Sequence, residues 1–185
     1  MEIKTQELPD EQLAEAAQNG HLDSFAALYE RYHSSMVALA YSMMADINLA
    51  EDAAQEVFVI ACRDLLNLKR KDKFAAWLAG ICRNVTRGIL REKGKTIASD
   101  LWQAAENNRN QECHHDAVRR AVWKLPTAQR ELVVLRYYNG FSQSQISKVL
   151  DISSSAVNGR LVRAKRKIAE YLKQNGFTGD DHETL

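Results

Sequence analysis

The chain has 185 residues, 45% apolar, 26% charged and 8% aromatic, which is the balance of a globular protein with room for one sizeable domain or two small ones. Eight glycines and only two prolines exclude a collagen-like chain and argue against a turn-rich all-β fold, and no apolar run approaches the ~18 residues that span a bilayer, so no membrane insertion is expected. The net charge of +1 conceals blocks: residues 1–62 carry −9, 63–95 carry +7, 96–116 carry −3, 117–173 carry +9 and 174–185 carry −3. Two basic zones set between acidic ones suggest two contacts with a polyanion and an acidic face for another partner.

The opening MEIKTQELPDEQ is acidic and polar, so no secretory signal is expected. The three cysteines, Cys62, Cys82 and Cys113, form no CxxC pair and point to a reducing, cytoplasmic setting rather than a disulfide framework. A short helix ends at Asn19-Gly20. Phe25, Leu28, Tyr29, Tyr32, Met36, Leu39, Ala40 and Met43 then recur at steps of three and four, the stripe of a long amphipathic helix with Asp23 as its expected N-cap. The next helix is expected to open at Asn48, with Glu51 as the acid three residues on, and to bury Ala53, Val57, Ile60 and Ala61. A polar break over 67–72 precedes a third stripe, Phe74, Trp77, Leu78, Ile81, Cys82, Val85 and Ile89. Periodicity fails over 94–113, read as a flexible interdomain linker with a short helix at 101–105. Further helices are expected at 118–125, 128–138 (with Thr127 as its cap), 143–150 and 154–174. No stretch alternates for long enough to make a half-buried strand. The fold class is therefore all-α, two small helical domains, divided as an N-terminal domain 1–95, a linker 96–116, a C-terminal domain 117–174 and an acidic tail 175–185.

Residues 142–173 carry the most specific pattern. Ser142 caps a short helix with Ile146, Val149 and Leu150 inward; the turn Asp151-Ile152-Ser153 follows, Ile152 plugging the core; a second helix then buries Val157, Leu161, Ala164 and Ile168. Outward, this second helix carries Asn158, Arg160, Arg163, Lys165, Arg166 and Lys167. A short helix, a tight turn and a basic second helix form a DNA-binding helix-turn-helix, whose second helix fits the major groove by width. Cys113-His114-His115-Asp116 has metal-binding side-chain types, but neighbouring residues diverge on a helix and no second cluster exists, so neither metal nor other cofactor is assigned. There is no phosphate-binding glycine loop, no HExxH and no nucleophile elbow, and Asp52 with Glu56 lacks a third group, so no catalytic residue is assigned and the chain is not read as an enzyme.

At these residues the sequence resembles the extracytoplasmic-function sigma factors, the small two-domain promoter-recognition subunits of bacterial RNA polymerase. The C-terminal likeness runs through Leu125-Pro126, Arg130, Val133, Leu135-Arg136, Ser142, Ile146, Leu150, Val157, Arg160-Leu161 and Arg163-Ala164-Lys165. The N-terminal one runs through Phe25, Leu28, Tyr29, Tyr32, the run from Glu51 to Phe58, Phe74, Trp77-Leu78, Ile81, Asn84 and Arg91. Departures from the family pattern are Gly88 for a frequent Asp, Gln145 for a frequent Glu, Asp151 for the usual turn glycine, and Asn158-Gly159 in the recognition helix.

The resemblance implies that Asp52, Gln55 and Glu56 dock on the coiled-coil clamp of core RNA polymerase. It implies that Lys69, Arg70, Lys71 and Lys73 of the polar break, with Asn84, Arg87 and Arg91 of the following helix, bind the −10 promoter element as it opens. Trp77 is either a base-stacking platform or core, the stripe favouring core. Arg136, Ser155, Asn158, Arg160, Arg163, Lys165 and Lys167 are the residues set against the −35 element, at base edges or phosphates. The expected function is promoter-specific transcription initiation with core RNA polymerase and promoter DNA as partners, under control of an anti-sigma factor. Two rival readings are a helix-turn-helix operator-binding regulator that acts without polymerase, and a polymerase-binding interaction module.

Overall fold

The structure, a computed structural model, describes residues 8–92 and 114–177. The expected linker helix at 101–105, the side chains of 113–116 and most of the acidic tail lie outside the described residues. Every regular element among the described residues is helical, as the stripes require. The first group is α1 (Asp10–Gln18), α2 (Leu22–Met44), α3 (Ile47–Asp64) and α4 (Phe74–Glu92), with 3-10 turns at Leu65–Asn67 and Lys71–Lys73 in the polar break. The second is α5 (His114–Trp123), α6 (Thr127–Val133) continued by a π turn (Val134–Tyr138), α7 (Gln143–Leu150) and α8 (Ser154–Gln174).

Three expected N-caps are replaced, and α5 runs His114–Trp123 where 118–125 was expected. Asp23 is not the cap of α2; the cap is His21, two residues earlier, and Asp23 lies in the first turn, where a carboxylate meets the positive end of the helix dipole. Asp46, not Asn48, caps α3: its backbone is extended and its carboxylate accepts the Leu49 N–H at 3.1 Å, while Asn48 is already helical. Thr127 is the first helical residue of α6 rather than its cap, because extended Pro126 precedes it and offers its carbonyl to the Gln129 and Arg130 N–H groups. The turn between α1 and α2 follows expectation: Gly20, at φ +91°, takes the left-handed conformation that side chains disfavour.

One core runs through both groups. Leu13, Leu28, Met36, Leu39, Met44, Val57, Phe74 and Leu78 of the first are buried with Leu132, Leu135, Ile146 and Val157 of the second. Met44 takes the buried place at the end of α2 that the stripe gave to Met43. Each such side chain contributes about 1.5–3 kcal/mol when taken out of water, so the seam between the groups is apolar first and polar second. A smaller cluster of Leu125, Val133 and Ala164, with Val122 and Ile168, closes α5 and α6 onto α8. Trp77 is partly buried beside Phe74, ring centroids 5.8 Å apart, and belongs to the core.

Candidate nucleic-acid interface

The helix-turn-helix is fixed by its own side chains. The Ser142 hydroxyl accepts the Gln145 N–H at 3.3 Å while the Gln145 carbonyl oxygen accepts the Ser142 N–H at 2.8 Å, a closed capping box. Gln145 thus does with an amide what a glutamate does there. Asp151 holds the left-handed turn at φ +53° without glycine, a conformation that aspartate tolerates. The Ser147 hydroxyl donates to the Ile152 carbonyl at 2.6 Å, and Gln143 Nε2 donates to the Ser154 carbonyl at 2.6 Å, tying the start of α7 to the start of α8. Ser153 then caps α8 by accepting the Ala156 N–H at 3.2 Å. Three of these bonds fix the helix starts; the Ser147 and Gln143 bonds bridge the turn and, with Ile146, Val157 and Leu161 in the core, orient α8.

Of the side chains set against the −35 element, Arg136, Ser155, Asn158, Arg163, Lys165 and Lys167 are exposed, and Arg160 is half-buried. They do not share one face. Asn158 and Lys165, two turns apart, line a groove with Arg136, Tyr137, Gln143 and Val162. There the Lys165 ammonium lies 5.4 Å from the Tyr137 ring centroid, within cation–π range. Arg136 is anchored by one guanidinium nitrogen, which donates to the Phe141 carbonyl at 2.9 Å. Arg160 and Lys167, also two turns apart, occupy the opposite flank.

In the other group, Asn84, Arg87 and Arg91 form one exposed stripe of α4, opposite the buried Phe74, Leu78, Cys82 and Thr86. Cys82 is fully buried in the core and packs there, and the same burial pushes its thiol up to about 12. The basic loop that leads into α4 is already paired: Asp72 accepts from Arg70 at 2.8 Å and lies 2.9 Å from Lys73, while Lys71 lies 3.7 Å from Glu15 of α1. These pairs hold the Asp72 carboxyl down to about 2. They are partly exposed and salt-screened, so a phosphate can compete for them.

Asp52, Gln55 and Glu56 are exposed together on α3, as a docking face requires. Further along this face Val59 is 68% exposed and Leu66, just past the helix, 74%, an apolar extension that sequence reasoning missed. Also missed was Glu131. Its carboxylate accepts from Arg83 Nε of α4 at 2.6 Å, and Arg83 donates again to the Val149 carbonyl at 3.3 Å. Burial raises the Glu131 carboxyl, opposed by Arg83 and by the more distant Arg87 and Arg160. One carboxylate therefore sits in the field of arginines from both basic zones. Its signal in the sequence was an acid inside the apolar stripe of Leu132 and Leu135.

Residues 28–96 match the family model for sigma-70 region 2, and residues 115–168 match that for sigma-70 region 4; together they span about two thirds of the chain. The chain is 26% identical over 171 residues to the ECF RNA polymerase sigma factor SigW of Bacillus subtilis, covering 83% of this chain and 91% of that one. It is 28% identical over 182 residues to the RNA polymerase sigma-H factor of Pseudomonas aeruginosa, covering 89% and 94%. Its fold is similar to that of CnrH, solved in complex with the cytosolic domain of CnrY, with a TM-score of 0.67 at 29% identity over 90% of this chain and 98% of that one. With both regions present, in order, on a helix-turn-helix and a four-helix group whose exposed faces carry opposite charge, the chain belongs to the extracytoplasmic-function sigma factors of the sigma-70 family.

Proposed function

We propose that the α1–α4 group docks on core RNA polymerase through Asp52, Gln55 and Glu56 of α3 and grips the melted −10 element with Lys69, Arg70, Lys71 and Lys73 of the 65–73 loop and the Asn84, Arg87 and Arg91 stripe of α4. The C-terminal group reads the duplex −35 element with α8. Asn158 suits the two hydrogen-bonding positions of adenine, and Arg163 those of guanine. Arg136, Lys165 and Lys167 neutralise phosphates, with Ser155 and Arg160 at the margins of the contact. The chain acts in the cytoplasm by binding and positioning, and the bond-making chemistry belongs to the polymerase. An anti-sigma partner holds the chain inactive until initiation is needed; the complex of the similar CnrH with the cytosolic domain of CnrY supports a protein partner of this kind.

The observation that carries this reading is the meeting of two opposite surfaces on adjacent helices: an exposed acidic and amide face on α3, and an exposed basic stripe on α4. The first suits a basic protein surface and the second a nucleic-acid strand, and a duplex reader alone needs neither. The test is a titration of core polymerase with the chain carrying Asp52→Ala, Gln55→Ala and Glu56→Ala together. These side chains are exposed, so the melting temperature should hold while affinity for core falls at least about tenfold, the loss of one or two charge-assisted contacts. Unchanged affinity for core would remove this face from the interface.

A further inference from the structure

The basic loop between α3 and α4 is held from behind by α1, and the residue that holds it is Gln18. From the last turn of α1 its side-chain amide donates to the Leu65 carbonyl at 2.8 Å and to the Leu68 carbonyl at 3.0 Å. These carbonyls flank the 3-10 turn Leu65–Asn67, which the Leu68 N–H closes onto the Leu65 carbonyl at 3.0 Å. The Leu65 and Leu68 side chains are buried, so the turn is pinned on two sides, apolar groups into the core and carbonyls onto Gln18. An uncharged amide nitrogen with two N–H groups suits two converging carbonyls; a carboxylate of the same size offers only acceptors.

The rest of α1 is built to keep this contact in place. Its start is clamped to α2: Asp10 accepts from Arg31 at 2.5 Å and from the Tyr32 hydroxyl, and the Leu8 carbonyl accepts from Arg31 at 2.9 Å. Along the helix, Glu11, Glu15 and Gln18 fall on one stripe. Glu11 lines an open pocket with Lys69, Arg70, Lys71 and Asp72, and Glu15 pairs with Lys71. The helix is thus a brace, fixed to α2 at one end and carrying the basic loop on its face.

We propose that Gln18 is a positioning residue for −10 recognition, fixing loop 65–73 against α4 so that an unstacked base meets one preformed geometry. This rests on the assignment of that loop to the −10 element. Taking a base out of its stack is costly, and a loop that must also be ordered on binding returns less of that cost and discriminates bases less well.

The experiment uses the full chain assembled with core polymerase and a fork-junction promoter DNA whose −10 segment is single-stranded, in a cognate form and in forms with each −10 base replaced in turn. Gln18→Met keeps the length and packing of the side chain but donates nothing; Gln18→Glu keeps its shape and sets oxygen against oxygen. Both variants are expected to bind core as wild type does. Both should lose about tenfold in affinity for the cognate fork, as the loss of two hydrogen bonds implies, with Gln18→Glu the worse. The ratio of cognate to substituted DNA should shrink by a similar factor, a change that a general loss of stability does not produce. A loop variant, Lys69→Ala with Arg70→Ala, is run beside them. If it weakens fork binding while the Gln18 variants keep wild-type affinity and base ratio, the positioning role is overturned and the loop assignment stands. If none of the variants weakens fork binding, both fall. Amide hydrogen exchange in the wild-type chain gives a reading that needs no variant: the Leu68 and Lys73 N–H groups, both bonded within the loop, should exchange as slowly as those of α4. Exchange at the rate of an open chain would overturn the proposal.

Discussion

Gly159 shows how α8 accommodates a residue of poor helix propensity without losing its regularity. It lies in the regular interior of α8, and a Cβ built there meets only the Arg163 guanidinium, at 3.7 and 3.9 Å. Those are ordinary contact distances to the far end of a flexible side chain, so alanine fits. Gly159→Ala should therefore raise stability by up to about 1 kcal/mol through helix propensity alone, read as a higher urea midpoint. A lower midpoint would mean that α8 is not regular at this point. Glycine's cost here was legible in the sequence, because helix propensity is local. The role of Glu131 was not: that it pairs with Arg83 depends on a contact between residues 48 apart in the chain, which no local pattern records.

At the scale of elements, periodicity and stop signals located the α-helices among the described residues but not the two 3-10 turns, and errors gathered at the ends. Capping depends on the backbone of a single residue, and Asp46 wins over Asn48 because the left-handed Ala45 delivers an extended residue at 46. The π turn over Val134–Tyr138, marked by the Asn139 N–H bonding back to the Val134 carbonyl at 3.0 Å, has no sequence signature, yet it sets Arg136 and Tyr137 beside the groove of α8. The α4 stripe carries its own prediction. Arg87 and Arg91 are exposed, and if each neutralises one phosphate of a single strand, the slope of log affinity against log salt should flatten by about 0.7 for each arginine replaced by alanine. The measurement is holoenzyme binding to fork-junction DNA across a salt series. An unchanged slope would place both arginines away from the strand.

For the whole molecule, the two helical groups share a core and are joined by polar contacts across it. Besides Arg83 with Glu131, Asn139 Nδ2 donates to the Ser35 carbonyl at 3.2 Å, and Tyr41 meets Trp123 edge-on at 4.7 Å between centroids. Arg130 lies 4.1 Å over that same Trp123 ring and is drawn down to about 10 by burial. Charge blocks in the sequence indicated two basic zones, but not that they meet over one carboxylate, since block arithmetic carries no information about depth. A double-mutant cycle on Arg83→Ala and Glu131→Ala reads this packing in solution. Groups in contact should couple by about 0.5–3 kcal/mol in urea unfolding, whereas additive losses would mean that the two halves stand apart in the free protein.

The central claim is that the two halves act together to start transcription. The direct measurement is in-vitro transcription with purified bacterial core polymerase and a pool of genomic promoter fragments, with and without this chain. The account predicts starts that depend on the chain and share two upstream motifs at a fixed spacing, weakened by Asn158→Ala and Arg163→Ala through the −35 motif. Core polymerase that binds the chain yet starts nowhere, or that does not bind it at all, would contradict the account.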